Sequence, residues 1–348
     1  MSESIKPIFK RGLLCVALLG AMLVTVGCAS DRSVIDQATQ THAQLQSAIV
    51  TDPEMASYIQ NVGDRIVAAG RAADKKHIGP SSHFDSKEDN AWMFQDMKFY
   101  LVKSDTVNAF TTGGKYMYVY TALFDMCKSE DELAAVMSHE YAHVYCRHVA
   151  KGTNKRYGAL AAAGAVGLAG AAVGGKDNAL EYGSASAAAA YAGAQYLLTG
   201  FTSKDENEAD KFGFQFYAMA GWDPSRFGDF FQHLIDAGNS PTAGGDHPPL
   251  GERVKNAQRR ASELPSQAKT WPKPDIASPS QFAGFVAKSK VMTASVPKDK
   301  SAQPAQTLLA AFPSCVTVDN QPSQVKARED IQKTLDAAQA KQDASQNK

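Results

Sequence analysis

Residues 139 to 143 read His-Glu-Tyr-Ala-His, and no other feature constrains the chain as tightly, because the chemistry of this pentapeptide requires a helix. Residues four apart on an α-helix share a face. His139 and His143 therefore direct two imidazoles at one point, and Glu140 sits beside it. Two histidines, an open position and a neighbouring carboxylate make the donor set of a catalytic Zn²⁺, with Glu140 placed to take a proton from the attacking water. The preceding run supplies the helix. Ser129 reads as its cap, with Glu132 three residues on, and Leu133, Val136 and Met137 follow at helical spacing. The alternative is an ordinary helix with two surface histidines; the capped run in front of the motif disfavours it.

A catalytic zinc needs a third protein ligand. His148 lies nine residues from His139, about 900° of helical turn and so on the opposite face; it is expected to be structural. Cys146, seven residues after His139, returns to the same face, but two turns away, and a plain buried thiol is the commoner outcome. Glu206 is the stronger candidate. It stands in the polar run from Thr202 that opens a second helical pattern continuing through Phe212, Phe214, Phe216 and Tyr217. Asp210, four residues on, shares its face and can accept the outer N–H of a ligating histidine, which fixes the tautomer. Glu208 is expected to point away. A solvated acidic helix start, favoured by the helix dipole, is the alternative for all three carboxylates.

Taken together, His139-Glu-Tyr-Ala-His143 with Arg147-His148, then Glu206-x-x-Ala209-Asp210, resemble the zinc peptidases related to HtpX and the CAAX prenyl-protein proteases, in particular their soluble bacterial BepA- and LoiP-like branch. The run from Asp52 to Gly63, the run from Val107 to Leu123, and Asp246-His-Pro-Pro-Leu-Gly-Glu-Arg253 also fit that branch, so the resemblance covers about residues 50 to 260. It implies a gluzincin with one zinc per chain, held by His139, His143 and Glu206, with Glu140 as general base and acid in cleaving polypeptides. Thr111-Thr112 before Gly113-Gly114, and the Ala- and Gly-rich spacer between His148 and Glu206, depart from the family pattern.

Residues 107 to 120 suit a strand pair, with Gly113-Gly114 as the hairpin signal and Tyr116, Tyr118 and Tyr120 alternating with Met117 and Val119. An edge strand near the zinc can pair with an extended substrate through its backbone; Asn108, Ala109 and Phe110 are the candidates, against a purely structural hairpin. His247 precedes two prolines and is held extended, so it can donate to a developing oxyanion, close the metal site, or be a loop residue before a helix over 249–260. Arg253 either pairs with a carboxylate near the site or faces solvent.

Lys6, Lys10 and Arg11 precede an uncharged stretch over 12–27 that is short for a membrane span. The run ends Gly27-Cys28-Ala29, like a bacterial lipobox, so residues 1–27 read as a lipoprotein signal peptide and Cys28 as the lipidated residue; cleavage after Ala29 is the rival. Acyl chains there would anchor the protein stably, and Ala29 favours the periplasmic face of the outer membrane. Cys127 and Cys146 are on the order of 25 Å apart on a continuous helix, too far for a bridge; Cys315 can pair with either.

With 36 basic and 36 acidic residues and no basic patch, nucleic acid is not an expected partner. Residues 158–175, uncharged and rich in Ala and Gly, read as closely packed helices or a mobile gate. Beyond residue 262 the composition turns to Pro, Ser, Ala, Lys and Gln, with short packed elements expected over 282–291 and 308–318, a polar helix over 330–342, and no repeat of about 34 residues. The expectation is a zinc metallopeptidase domain over 28–262 and a low-complexity extension over 263–348. The fold expected is α+β, mainly helical and zincin-like, with a small antiparallel sheet beside the active-site helix. The function expected is endopeptidase action on misfolded or misassembled envelope proteins, with outer-membrane assembly proteins as further partners. An assembly or chaperone lipoprotein with a latent zinc site is the alternative, and a peptidoglycan hydrolase a third.

Overall fold

Helix α1 (Asp31–Leu45) is the first element among the described residues of the computed structural model, which are 31–84, 89–152, 201–238, 248–265, 276–298 and 303–312. The expected signal segment, Cys28, the Ala- and Gly-rich stretch, His247, Cys315 and the polar segment 330–342 lie outside the described residues.

Helix α2 (Pro53–Lys75) begins where local chemistry dictates: Asp52 accepts from the Met55 N–H at 2.9 Å and Pro53 takes the first helical position. Met55, Ile59, Val62, Ile66 and Ala73 recur at intervals of three, four and seven, so one stripe of α2 is buried. Short helices α3 (Ser81–Phe84) and α4 (Trp92–Gln95) lead to the sheet.

The sheet holds β1 (Lys98–Val102), β2 (Ala109–Thr111) and β3 (Tyr116–Tyr120) in the order β1-β3-β2. β2 and β3 form the hairpin that Gly113-Gly114 signals, and Gly113 takes φ +76°, the left-handed turn geometry open to glycine. The sheet is nonetheless mixed rather than antiparallel throughout. The hairpin inserts β3 between β2 and β1, so β3 runs parallel to β1, with Phe99 opposite Met117 and Leu101 opposite Val119. The alternation of β3 divides two cores. Met117 and Val119 face the main core with α2 and the helix that carries His139 and His143, and Tyr118 and Tyr120 face a second cluster with Leu45, Phe110, Leu309 and Phe312.

Helix α5 (Thr121–Met126) leads into α6 (Glu130–Tyr145). Ser129 caps α6 by accepting from the Glu132 N–H, and Glu132 reaches back to the Lys128 N–H at 2.9 Å. Every residue of α6 is buried, its histidines and Glu140 included. A helix wrapped on all sides can hold charged groups only if its neighbours pair them. Those neighbours are α2, the strands β2 and β3, α7 (Ser203–Met219) and α8 (Asp229–Asp236), joined through α7 and α8 to α9 (Leu250–Ser262). Thr202 and Asp205 form a reciprocal capping box at the start of α7.

The described parts of the chain after residue 262 pack onto this domain. Helix α10 (Pro279–Ala294) buries Phe282 in the main core, and the Ala277 N–H donates to Glu130 at 2.9 Å. Helix α11 (Pro304–Ala311) lies on the tyrosine face of the sheet, where the Tyr120 hydroxyl donates to the Leu309 carbonyl at 2.7 Å. Cys127 and Cys146 are free. No helix among the described residues is long and apolar enough to cross a membrane.

Candidate metal centre

Helices α6 and α7 meet at the pentapeptide, and the contact is closer than side chains normally allow. A Cβ built on Gly213 would stand 2.9 Å from the Cα of His139 and 3.0 Å from its nitrogen. Glycine at 213 lets the two backbones touch, and that brings the first turns of α7 over the histidines.

The ligand atoms of three residues converge there. His139 Nε2 lies 3.1 Å from His143 Nε2 and 3.3 Å from Glu206 Oε2, and His143 Nε2 lies 3.6 Å from Glu206 Oε1. All three side chains are fully buried. Donors bonded at zinc's usual distances to one tetrahedral ion stand about 3.3–3.4 Å apart, so this donor set fits zinc in spacing as well as in chemistry. Glu140, next to His139 on α6, is also fully buried. The Tyr120 phenol is pushed well up by burial; Asn108 opposes that with a hydrogen bond and the Glu140 charge adds to it, which puts the end of β3 within electrostatic reach of Glu140.

Each histidine has a partner at its outer nitrogen. His139 Nδ1 lies 2.8 Å from Asp210 Oδ1. Arg253 grips the same carboxylate with two bonds, Nε to Oδ2 at 2.8 Å and an Nη to Oδ1 at 2.6 Å, and stacks over the Phe231 ring at 3.9 Å. A buried carboxylate between an imidazole and a guanidinium stays ionised. Burial raises the Asp210 pKa, but the Arg253 charge and the His139 hydrogen bond outweigh it and bring it down to about 2. On His139, burial and Arg253 press downward, yet the bonds to Asp210 and Glu206 prevail and carry its pKa up to about 9. Burial drives His143 well down, against the pull of Glu206, and Phe201 stacks on its ring at 3.8 Å.

The outer partner of His143 is His148, with Nδ1 to Nδ1 at 2.9 Å, and His148 Nε2 in turn meets Glu208 Oε2 at 2.9 Å. This corrects the expectation that His148 lies on the opposite face. Helix α6 stops at Tyr145, Arg147 adopts φ +55°, and helix resumes over 148–152; extrapolating one helix through this turn misplaces everything after it. Arg147 is held in that conformation by a bidentate pair with Asp31, at 2.8 Å for its Nη. Glu208 does point away from the three ligands, as its spacing predicts, but onto His148, which lowers its pKa to about 2. Cys146 does not join the His139 group; it falls in a second group with His148 and Glu208.

Of the other expected residues, Asp210 stands where its spacing put it, and Arg253 is paired with a carboxylate at the site. Asn108, Ala109 and Phe110 are buried at β2, which forms one edge of the sheet order; Asn108 Nδ2 donates to the Phe312 carbonyl at 3.2 Å and Phe110 stacks on Phe312 at 3.7 Å. His247 and Cys28 lie outside the described residues. Gly213, Phe201 and the His148–Glu208 pair escaped the sequence. Only the alternation of Glu206, Glu208 and Asp210 hinted that a second acidic face existed.

The family model described as Peptidase family M48 matches residues 86–261. A putative beta-barrel assembly-enhancing protease of Vibrio cholerae serotype O1 is 32% identical over 226 residues, covering 62% of this chain and 41% of the relative. The beta-barrel assembly-enhancing protease of Escherichia coli K12 is 28% identical over 222 residues, with 62% and 41% covered. The metalloprotease LoiP of Escherichia coli K12 is 29% identical over 167 residues, with 47% and 62% covered. The chain thus spans about 41% of the length of the beta-barrel assembly-enhancing proteases it matches.

Proposed function

The chain belongs to peptidase family M48, and on that premise we propose that it is a zinc-dependent endopeptidase acting on misfolded or misassembled polypeptides of the bacterial envelope. One observation carries the proposal: the ligand atoms of His139, His143 and Glu206 converge at spacings of 3.1 to 3.6 Å beside a buried Glu140. A bound zinc ion at this point would supply Lewis acidity, polarising the scissile carbonyl and acidifying the water that attacks it.

The protein's own groups do the rest. Glu140 takes the proton of the attacking water and passes it to the leaving amine. Asp210, clamped by Arg253, accepts the Nδ1 proton of His139, so that Nε2 offers its lone pair inward; His148 does the same for His143. The backbone around Asn108, Ala109 and Phe110 pairs with an extended substrate, reading little side-chain sequence. His247 donates to the oxyanion as it forms. Lipidation of Cys28 holds the domain at the periplasmic face of the outer membrane, and outer-membrane assembly proteins are partners there. The names of the similar proteases support the envelope setting.

The test is cleavage of casein by the full chain in detergent beside Glu140→Gln, with bound zinc measured in both. Cleavage by the wild type, and a variant that keeps its zinc but does not cleave, is the expected result. If both hold one zinc and neither cleaves, the proposal fails and the site is latent or structural.

A further inference from the structure

Beside the three ligands lies a second set of groups able to hold a metal, of which only His148 serves the first site. Cys146, His148 and Glu208 each offer one donor atom, and these atoms lie within 4.8 Å of one another. Cys146 and His148 are buried and Glu208 half-buried. Asp205 Oδ1 stands 3.9 Å from His148 Nε2, in position to become a fourth donor, while Lys151 Nζ, 3.4 Å from Glu208 Oε2, is the neighbouring cation that a metal would displace. The left-handed Arg147 makes the convergence possible by turning the chain between Cys146 and His148. Thiolate, imidazole and carboxylate are the donors that zinc and related thiophilic cations select.

We propose that Cys146, His148 and Glu208 form a second site for a thiophilic divalent cation, and that filling it opposes filling the site at His139, His143 and Glu206. The opposition rests on the proposed role of the first site; the second site itself does not. Its cause is a proton count. The two Nδ1 atoms of His143 and His148, 2.9 Å apart, share one hydrogen bond and so one proton. A cation on His143 Nε2 leaves that proton on His143 Nδ1, with His148 accepting at Nδ1 and donating its own Nε2 proton to Glu208. A cation on His148 Nε2 takes the lone pair there, so the proton of the neutral ring moves to Nδ1, and Cys146 gives its thiol proton to solvent. Two Nδ1–H groups then face each other. Either the hydrogen bond breaks or His143 carries its proton on Nε2, the atom the first cation needs. Loss of an outer partner of this kind weakens a metal site by about ten- to a hundredfold.

The experiment titrates the full-length protein, pre-loaded with one equivalent of radioactive zinc, with cobalt, beside Cys146→Ser and Cys146→Ala, each checked for folding by circular dichroism. In the wild type, excess cobalt is expected to bring up a thiolate-to-cobalt charge-transfer band, to release the radioactive zinc, and to lower casein cleavage at least about tenfold. Both variants should show no band and keep zinc and activity at the same excess. Absence of the band in the wild type overturns the second site. A band without zinc release overturns the opposition. Should the wild type cleave nothing at any loading, the peptidase role fails, while band and zinc release still decide the two-site proposal.

Discussion

Gly213 of α7 lies against the backbone of His139 on α6, so close that a Cβ at 213 would sit 2.9 Å from the His139 Cα and 3.0 Å from the Ser138 carbonyl. The neighbours at risk are backbone atoms, which cannot swing aside. Gly213→Ala must therefore push the two helices apart. The expected cost is about 1–3 kcal/mol of stability, the usual scale of overpacking, together with weaker zinc binding because Glu206 moves with α7. Thermal unfolding and a chelator competition measure the two effects.

Asp210→Asn removes a charge that both His139 and Arg253 use. Arg253 is buried, so the variant leaves a guanidinium without its counter-ion; breaking a buried pair in this way costs about 3–5 kcal/mol. Zinc affinity should fall about ten- to a hundredfold as the acceptor behind His139 loses its charge. Glu140→Gln, by contrast, should keep its zinc. Comparable zinc affinity in Asp210→Asn and wild type would show that the charge of Asp210 does not support zinc binding by His139.

His148→Ala removes the acceptor of His143 without touching a ligand of the first site. The expected result is again a loss of about ten- to a hundredfold in zinc affinity, with less loss of stability than in Asp210→Asn, because Glu208 is half-exposed and can return to solvent. Zinc titration of the two variants side by side separates the effects.

Metal removal should change how stability depends on pH. In the metal-free protein His139 is raised from 6.5 to about 9. Its contribution is complete below pH 6.5 and is lost as pH climbs through 9; at 1.36 kcal/mol per unit it is of the order of 3 kcal/mol. Asp210, lowered from 3.8 to about 2, acts in the other direction: its contribution is present above pH 3.8 and is lost as pH falls toward 2. The two describe one ion pair and do not add. Melting temperatures of the zinc-free protein should therefore decline from pH 6.5 to 9. Saturating zinc, which binds the neutral imidazole, should flatten that alkaline decline. A zinc-free melting temperature independent of pH across that range would contradict the paired state of His139.

What proved legible in the chain was local. The helix under His139 and His143 announced itself through its Ser129 cap and apolar spacing, and α7 through the run from Thr202 to Tyr217. The pairing of Glu206 with Asp210 followed from a spacing of four. The hairpin over 109–120 followed from Gly113-Gly114, but β1 sits parallel beside β3 because of a choice of neighbour made across the whole sheet.

The sequence by itself determined which groups could meet a metal and on which helical faces they stood, since helix periodicity and capping act within a few residues. Tertiary structure alone decided how close those faces came and what stood behind them. Asp31, 116 residues before Arg147, holds it in a left-handed turn that swings His148 onto His143, and a glycine at 213 lets α7 close over the site. Those contacts join segments far apart in the chain, and the energy that sets them comes from burial and charge pairing that no local pattern records.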